Sequence, residues 1–221
     1  MPYIILAIVA GAAIVGGIIW LVIQYEKKRT AALEAVASDI GLEFSAIKGD
    51  QLLERMQVFS LFNKGHGRKI KNVMKAEDEN ANLSIFDYQY TTGGGKHQHT
   101  HHHSVIAMES DALKLPEFSL RPENLFHKIG AAVGFQDIDF DDHPEFSEWF
   151  VLKGEDEEAI RNFFDAELRD FFALRKGTYI ESAPGVFIYL HGGRKKPEQM
   201  REFITEGYMI YSTFAKRLSR R

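Results

Sequence analysis

The chain contains no cysteine among its 221 residues. That absence removes disulfides, thiolate zinc sites, iron–sulfur clusters and cysteine nucleophiles from the list of functions, and it fits a reducing compartment. Prolines number only six, and no stretch rich in Pro, Gly or Ser divides the chain. Basic charge is not in excess either: 27 Lys and Arg stand against 31 Asp and Glu, a net charge of −4. A general nucleic-acid binder needs a broad basic face, so no nucleic-acid partner is expected. The sequence has no H-E-x-x-H, no G-x-S-x-G and no Rossmann glycine fingerprint, which disfavours an enzyme; no catalytic residues and no cofactor are expected. With 45% hydrophobic and 26% charged residues, the rest is ordinary globular composition.

What the sequence does have is an uncharged run from Tyr3 to Ile23, "YIILAIVAGAAIVGGIIWLVI". It is long enough to cross a bilayer core of about 30 Å. Its twelve Ile, Leu and Val residues favour insertion by about −4 to −7 kcal/mol at roughly −0.3 to −0.6 each. A cleaved signal peptide would need a basic segment first and a small-x-small site last, but Met1 and Pro2 precede the run and "WLVIQYEKKR" ends it. The run therefore reads as an uncleaved anchor. Lys27, Lys28 and Arg29 flank its C-terminal end and no Lys or Arg flanks the other, so the positive-inside rule puts the following domain in the cytoplasm and the N-terminus outside. Ala7/Gly11, Ala12/Gly16 and Ala13/Gly17 have the small-xxx-small spacing that allows close helix packing, a candidate homodimer face.

Downstream patterning predicts α+β structure: antiparallel sheet with packed amphipathic helices. Residues 1–25 are assigned to the anchor, 26–41 to a juxtamembrane helix stopped by Gly41, and 42–221 to the α+β domain. Strands are expected at "LEFSAI", "RKIKNVMKAE", "ANLSIFDYQYTT", "KHQHTHHHSVIAMES", "LPEFSLRP", "FQDIDFD" and "EFSEWFVLKG", with a hairpin at "TYIES–APG–VFIYLH". Helices are expected behind Asp50 as N-cap ("QLLERMQVFSLF"), at "ENLFHKIGAAV", behind "EDEE", and over the closing stretch that carries Met200, Phe203, Ile204 and Phe214. "LEFSAIKGD" and "EWFVLKGED" are each followed by a helix and two strands, a candidate pair of β-α-β-β units with halves at 42–121 and 122–221.

The most unusual stretch is "GGGKHQHTHHHSV", Gly93–Val105, with five histidines in thirteen residues. On a strand His97, His99, His101 and His103 point to one face and His102 to the other. Neighbours on that face lie about 6.6 Å apart and zinc wants nitrogens within about 2.1 Å, so one strand supplies at most a two-His clip. Register decides the rest. With Gly94 at the turn centre Asp87 stands opposite His101 and completes a site for a divalent transition metal; shifted by one, the row faces Phe86, Tyr88 and Tyr90. The plainer reading is a solvated strand end.

Two further motifs are weaker. The Gly93–Gly95 triplet is not a phosphate loop: Tyr90 stands where the first glycine belongs and His97 where the hydroxyl belongs. In "DIDFDDHPEFSE", Asp137, Asp139, Asp141 and Glu148 match calcium-loop positions, but Asp142 takes the obligatory glycine place and Pro144 follows. The ten carboxylates between Asp137 and Glu158 face one lysine, an acidic surface for a cation or a basic partner. At the C-terminus Lys216, Arg217, Arg220 and Arg221 suit either the helix dipole or anionic membrane lipid.

The stretches "LFNKGHGRKIKNVMK", "SIFDYQYTTGGGKH", "LPEFSLRPE", "GFQDIDFDDHPEFS" and "LKGEDEEAIR" resemble an uncharacterised family of bacterial proteins with one N-terminal transmembrane helix and a cytoplasmic α+β domain. The resemblance spans most of the chain after the anchor and implies a bacterial inner-membrane setting; it implies no catalytic residue. The expectation is a membrane-tethered binding or scaffold module with a protein partner, against a metal-binding or metal-responsive domain using the His-rich strand 97–103.

Overall fold

The computed structural model describes residues 2–46, 49–78, 81–123 and 136–220, and the side chains of all of these except Pro2 and residues 5–9. The first element, α1, is a single helix from Pro2 to Asp39. The expected anchor and juxtamembrane helix are thus continuous, as they should be where no Gly or Pro interrupts Ile18–Asp39. Gly41, at φ +75, ends it: Leu42 N–H reaches Ala37 O at 2.9 Å and Gly41 N–H reaches Ser38 O at 3.3 Å, the paired bonds of a Schellman stop. Among the described residues no helix is long and apolar enough to cross a membrane. Ile5–Val9 lie outside the described side chains, and Ala10–Ile23 alone spans about 21 Å at roughly 1.5 Å per residue.

The body is one eight-stranded sheet. Its strands are β1 (Glu43–Ser45), β2 (His66–Glu77), β3 (Asn82–Thr92), β4 (His99–Glu109), β5 (Phe118–Pro122), β6 (Phe150–Lys153), β7 (Thr178–Ala183) and β8 (Val186–His191). They lie in the order β1-β2-β3-β4-β8-β7-β5-β6, with every pairing antiparallel. The helices after α1 are α2 (Asp50–Met56), α3 (Pro144–Trp149), α4 (Glu157–Phe163), α5 (Ala166–Ala173) and α6 (Met200–Leu218). The expected α+β class with antiparallel sheet is what the chain forms. The β-α-β-β echo is only partial: β1 pairs with β2, but β5 sits between β6 and β7. β5 therefore joins the later strands although its number places it in the earlier half.

Alternation along the strands feeds two cores. On one face Phe86, Tyr88, Val105, Ile188 and Tyr179 are covered by Met56, Phe59 and Phe62 from α2 and the 3-10 turn Ser60–Asn63. On the other, Ile85, Ile106, Leu120, Ile180 and Phe187 are covered by Leu33 and Ala37 of α1 and by α3–α6. Both faces are buried, which is why several strands read as near-continuous apolar runs.

Three expectations fail locally. The described part of "FQDIDFD", from Gln136, is not a strand: Ile138 N–H donates to Leu152 O at 2.8 Å, but the returning Leu152 N–H goes to the Asp137 side chain at 2.8 Å instead of to a backbone carbonyl, so no ladder extends. "EFSEWFVLKG" is a helix and then a strand, because Pro144 suits the first turn and the His143 side chain caps Phe146 N. The helix behind Asp50 begins one residue earlier, with Gly49 as N-cap and no side-chain cap, and stops at Met56. The helix expected at "ENLFHKIGAAV" lies, apart from Glu123, outside the described residues.

Candidate functional site

Register settles the His-rich strand. Tyr88 faces His103, Tyr90 faces His101, Thr92 faces His99, and Asp87 faces Ser104. His99, His101 and His103 therefore share a face with the tyrosines, while Asp87 points to the opposite face with His102 and Ser104. Asp87 is corrected as a metal ligand on that ground. His97 is corrected as a strand residue: it belongs to the 3-10 turn Gly95–His97, ahead of β4. The remaining imidazoles are used by neighbours. Tyr90 stacks on His101 at 4.6 Å between ring centres, and Thr92 Oγ1 lies 2.8 Å from His101 Nε2. His103 Nδ1 donates to Gly192 O at 3.3 Å. Burial lowers the pKa of His101, His102 and His103. Among the described residues no group of three or more His, Asp or Glu is placed to hold a metal. His99 and His101, with ring centres 4.5 Å apart, are the pair best placed to share one.

The calcium-like stretch does not assemble either. Asp137 is committed to β6, Glu148 lies within α3, and Asp142 takes a bidentate pair of 2.7 Å bonds from Arg169. Arg161 donates to Asp139 O at 2.7 Å, and both arginines lie over the Phe140 ring. Asp141 remains exposed. At the C-terminus Arg217 is buried, donating to Phe163 O at 3.0 Å and pairing with Asp165. Arg220 pairs with Glu167 at 3.2 Å. Of these two cations only Arg217 is drawn into the body; the Arg220–Glu167 pair lies on the surface.

What sequence reasoning missed is how α1 is fastened. Arg29, 6% exposed, lies over Asp87, 7% exposed, with its Nε and Nη2 on the two carboxylate oxygens at 2.8 and 2.7 Å. Its third nitrogen reaches Lys195 O at 2.7 Å. Asn72 Nδ2 and Ser104 Oγ donate to the same carboxylate at 2.9 and 3.2 Å, and Thr30 donates to Asn72 Oδ1. Asn72 holds φ +52 at the bulge where β2 loses register with β3; that bulge is what turns its amide toward Asp87. One turn earlier Glu26 takes two bonds from Arg194, at 3.0 and 2.6 Å. The Arg194 guanidinium holds the Glu26 carboxyl below its usual pKa, against a smaller push upward from burial. The sequence signal was a lone carboxylate inside the apolar strand "SIFDYQY"; Arg29 was instead counted as a membrane-flanking cation.

This fastening sits midway along β2 and β3, and Glu26 leads from it toward one end of the sheet. Lys69, Lys71, Gln89 and His102 line a small cleft with Glu26 and Arg194, and a wider pocket of ≈ 610 Å³ runs from Val22 and Ile23 to Lys27 and Lys71. The start of β2, the tip of the β3–β4 hairpin and the loop after β8 all lie at this end, since His66 pairs with Thr91, Thr92 with His99, and His103 bonds Gly192.

A second polar cluster lies on the tyrosine face. Glu181, 5% exposed, accepts Ser60 N and Oγ at 2.6 and 2.8 Å and Leu61 N at 3.2 Å. Arg121 pairs with it at 3.3 Å and Tyr179 donates to it. Oε1 accepts from Ser60 Oγ, Leu61 N–H, Arg121 and Tyr179, and Oε2 from Ser60 N–H, so this carboxylate holds the 3-10 turn to the sheet. Lys64 beside it is different: its Nζ is buried with no hydrogen-bond partner among the described residues. Burial, with help from Arg121, pushes its pKa down to about 8. Between about pH 8 and the usual lysine value of 10.5 the unfolded chain holds a proton that the folded one has shed, so stability should rise with pH. Lys64→Met should remove that rise and stabilise the protein at pH 7 by on the order of 2 kcal/mol. Parallel urea-unfolding curves for the two proteins from pH 7 to 10.5 would rule this out.

No protein-family model matches the chain, and no curated protein sequence does. Among solved structures the fold is similar to the crystal structure of the mycobacterial trehalose monomycolate transport factor A, TtfA: TM-score 0.62, 13% identity, 86% of this chain and 93% of that chain covered. At that identity the likeness is one of fold.

Proposed function

We propose that the chain is a membrane-tethered cytoplasmic module, single-pass and bacterial inner-membrane, that binds another protein or the membrane surface and is not an enzyme. The observation that carries the reading is the division of α1. In its first half Ile14, Val15, Ile18, Ile19, Trp20 and Leu21 are each more than half exposed; in its second, Arg29, Leu33 and Ala37 are buried against the sheet. An apolar helix left without a partner by its own chain suits a bilayer, with Trp20 and Tyr25 at the interface. The likeness of fold to a protein named as a transport factor is compatible with this reading. Against the metal-responsive alternative, His99 and His101 are two ligands where a zinc site wants four, and among the described residues no group of three or more His, Asp or Glu is placed to hold a metal.

Topology tests this. A reporter active only in the cytoplasm, fused after Arg221, should be active, and a periplasm-only reporter at the same place should be silent. The opposite pattern would overturn the proposal. Lys27→Gln with Lys28→Gln should blur the orientation, producing signal from both reporters. Arg29 should be left intact in that variant, because it belongs to the buried pair with Asp87.

A further inference from the structure

We infer that the basic, histidine-bearing rim at the anchor end of the sheet is a docking surface for anionic phospholipid headgroups, an inference that rests on the membrane reading above. Three segments that the fold gathers there are free of carboxylates: Arg55–Ala76, Tyr88–Met108 and Ser182–Pro197. Between them they bring Arg68, Lys69, Lys71, Lys96, Lys195 and Lys196 to one end, beside Lys27 and Lys28 of α1. Of the carboxylates near them, Glu26 is held by Arg194 and Asp87 by Arg29, and Glu34 shares a pocket with Lys27 and Lys71, so basic side chains outnumber acidic ones on this rim.

The placement follows from how α1 crosses the sheet. As the helix goes back from Arg29 to Glu26, its neighbours on β3 advance from Asp87 to Gln89. Its apolar half therefore leaves the body past the hairpin tip. Thr92 lies five residues beyond Asp87, about 17 Å at roughly 3.4 Å per residue. Running back along α1 by that length, at roughly 1.5 Å per residue, is about 11 residues and reaches Ile18. The tip thus stands within about one helical turn of Trp20, the residue expected at the lipid–water boundary. Its own sequence, "TGGGKHQHT", has no large apolar side chain to enter hydrocarbon and no carboxylate to be repelled by phosphate. Lys96, His97, Gln98 and His99 are all exposed. The open pocket along α1 passes from Val22 and Ile23 to the charged side chains of Glu26, Lys27, Glu34 and Lys71, a change from apolar to polar lining.

The absence of native cysteine makes the test direct. In the full chain, Gln98→Cys and, separately, Val22→Cys each take a single spin label, and the protein is reconstituted in vesicles of phosphatidylcholine or of phosphatidylcholine with phosphatidylglycerol. The label at 98 should lose access to a water-soluble paramagnetic relaxant at least about threefold more in the anionic vesicles, by the screening-sensitive attraction of lysine for phosphate. Adding Lys69→Gln, Lys71→Gln and Lys96→Gln should erase the difference. Equal access in the two lipids, whether high or low, would overturn recognition of charge while leaving the anchor standing. A label at 22 that stays open to the aqueous relaxant in both would overturn the anchor itself, and the docking inference with it.

Discussion

Asp87→Ala is expected to cost the folded protein about 3–5 kcal/mol, the loss typical of breaking a buried ion pair from one side. The substitution leaves the Arg29 guanidinium, 5% exposed in its side chain, without its two carboxylate bonds and strands the Asn72 amide and Ser104 hydroxyl that donate to the same group. Unfolding in urea, followed on the full chain in detergent micelles, reads the effect. A loss under about 1 kcal/mol would mean that the pair is not a fastening at all. The sharper measurement pairs it with a rescue: Arg29→Met with Asp87→Leu should recover most of the stability, because an apolar pair of similar volume often replaces a buried ion pair at no net cost. A double variant as unstable as the single one would instead assign the stability to Lys195 O, the other partner of Arg29.

The second large effect belongs to the core. Phe214 of α6 is fully buried and its ring meets Phe163 at 5.4 Å, Phe187 at 5.3 Å, Phe172 at 6.2 Å and Phe118 at 6.3 Å. Those four rings come from α4, β8, α5 and β5, so one side chain touches most of what covers that face. Phe214→Ala should cost about 3–5 kcal/mol, combining lost transfer energy with a cavity that four rigid rings cannot close. Phe214→Leu, which keeps much of the volume, should cost distinctly less. If both variants unfold at the wild-type midpoint, α6 is not packed as described.

Much of this architecture was legible from the residues. Alternation gave β2, β3, β7 and β8, and helical spacing gave α4, α5 and α6, because each buries one face and so writes its period into the sequence. The misses share a cause. "FQDIDFD" alternates like a strand, yet a side-chain carboxylate, not a neighbouring backbone, satisfies the facing N–H; periodicity cannot distinguish the two. The site was harder. Asp87 was singled out as a metal ligand beside His101, but its face depends on the register of the Gly93–Gly95 turn, and the turn takes an added 3-10 element over Gly95–His97. That element moved Asp87 from opposite His101 to opposite Ser104. Arg29, Asn72 and Lys195 are far apart in sequence, and only the fold brings them to one carboxylate.

The unbroken stretch of α1 from Ile18 to Asp39 has a mechanical consequence. A body hung on a flexible tether wanders over a hemisphere below its anchor; one bolted to a continuous helix keeps a fixed azimuth. Rotation or tilt of the first half is transmitted to the sheet undamped, as by a crankshaft. Each residue added between Tyr25 and Glu26 would swing the whole sheet by about 100° around the helix axis while lowering it by only about 1.5 Å. On the anchoring proposed above, which strand edge meets a neighbour is therefore set by the angular phase of that one helix.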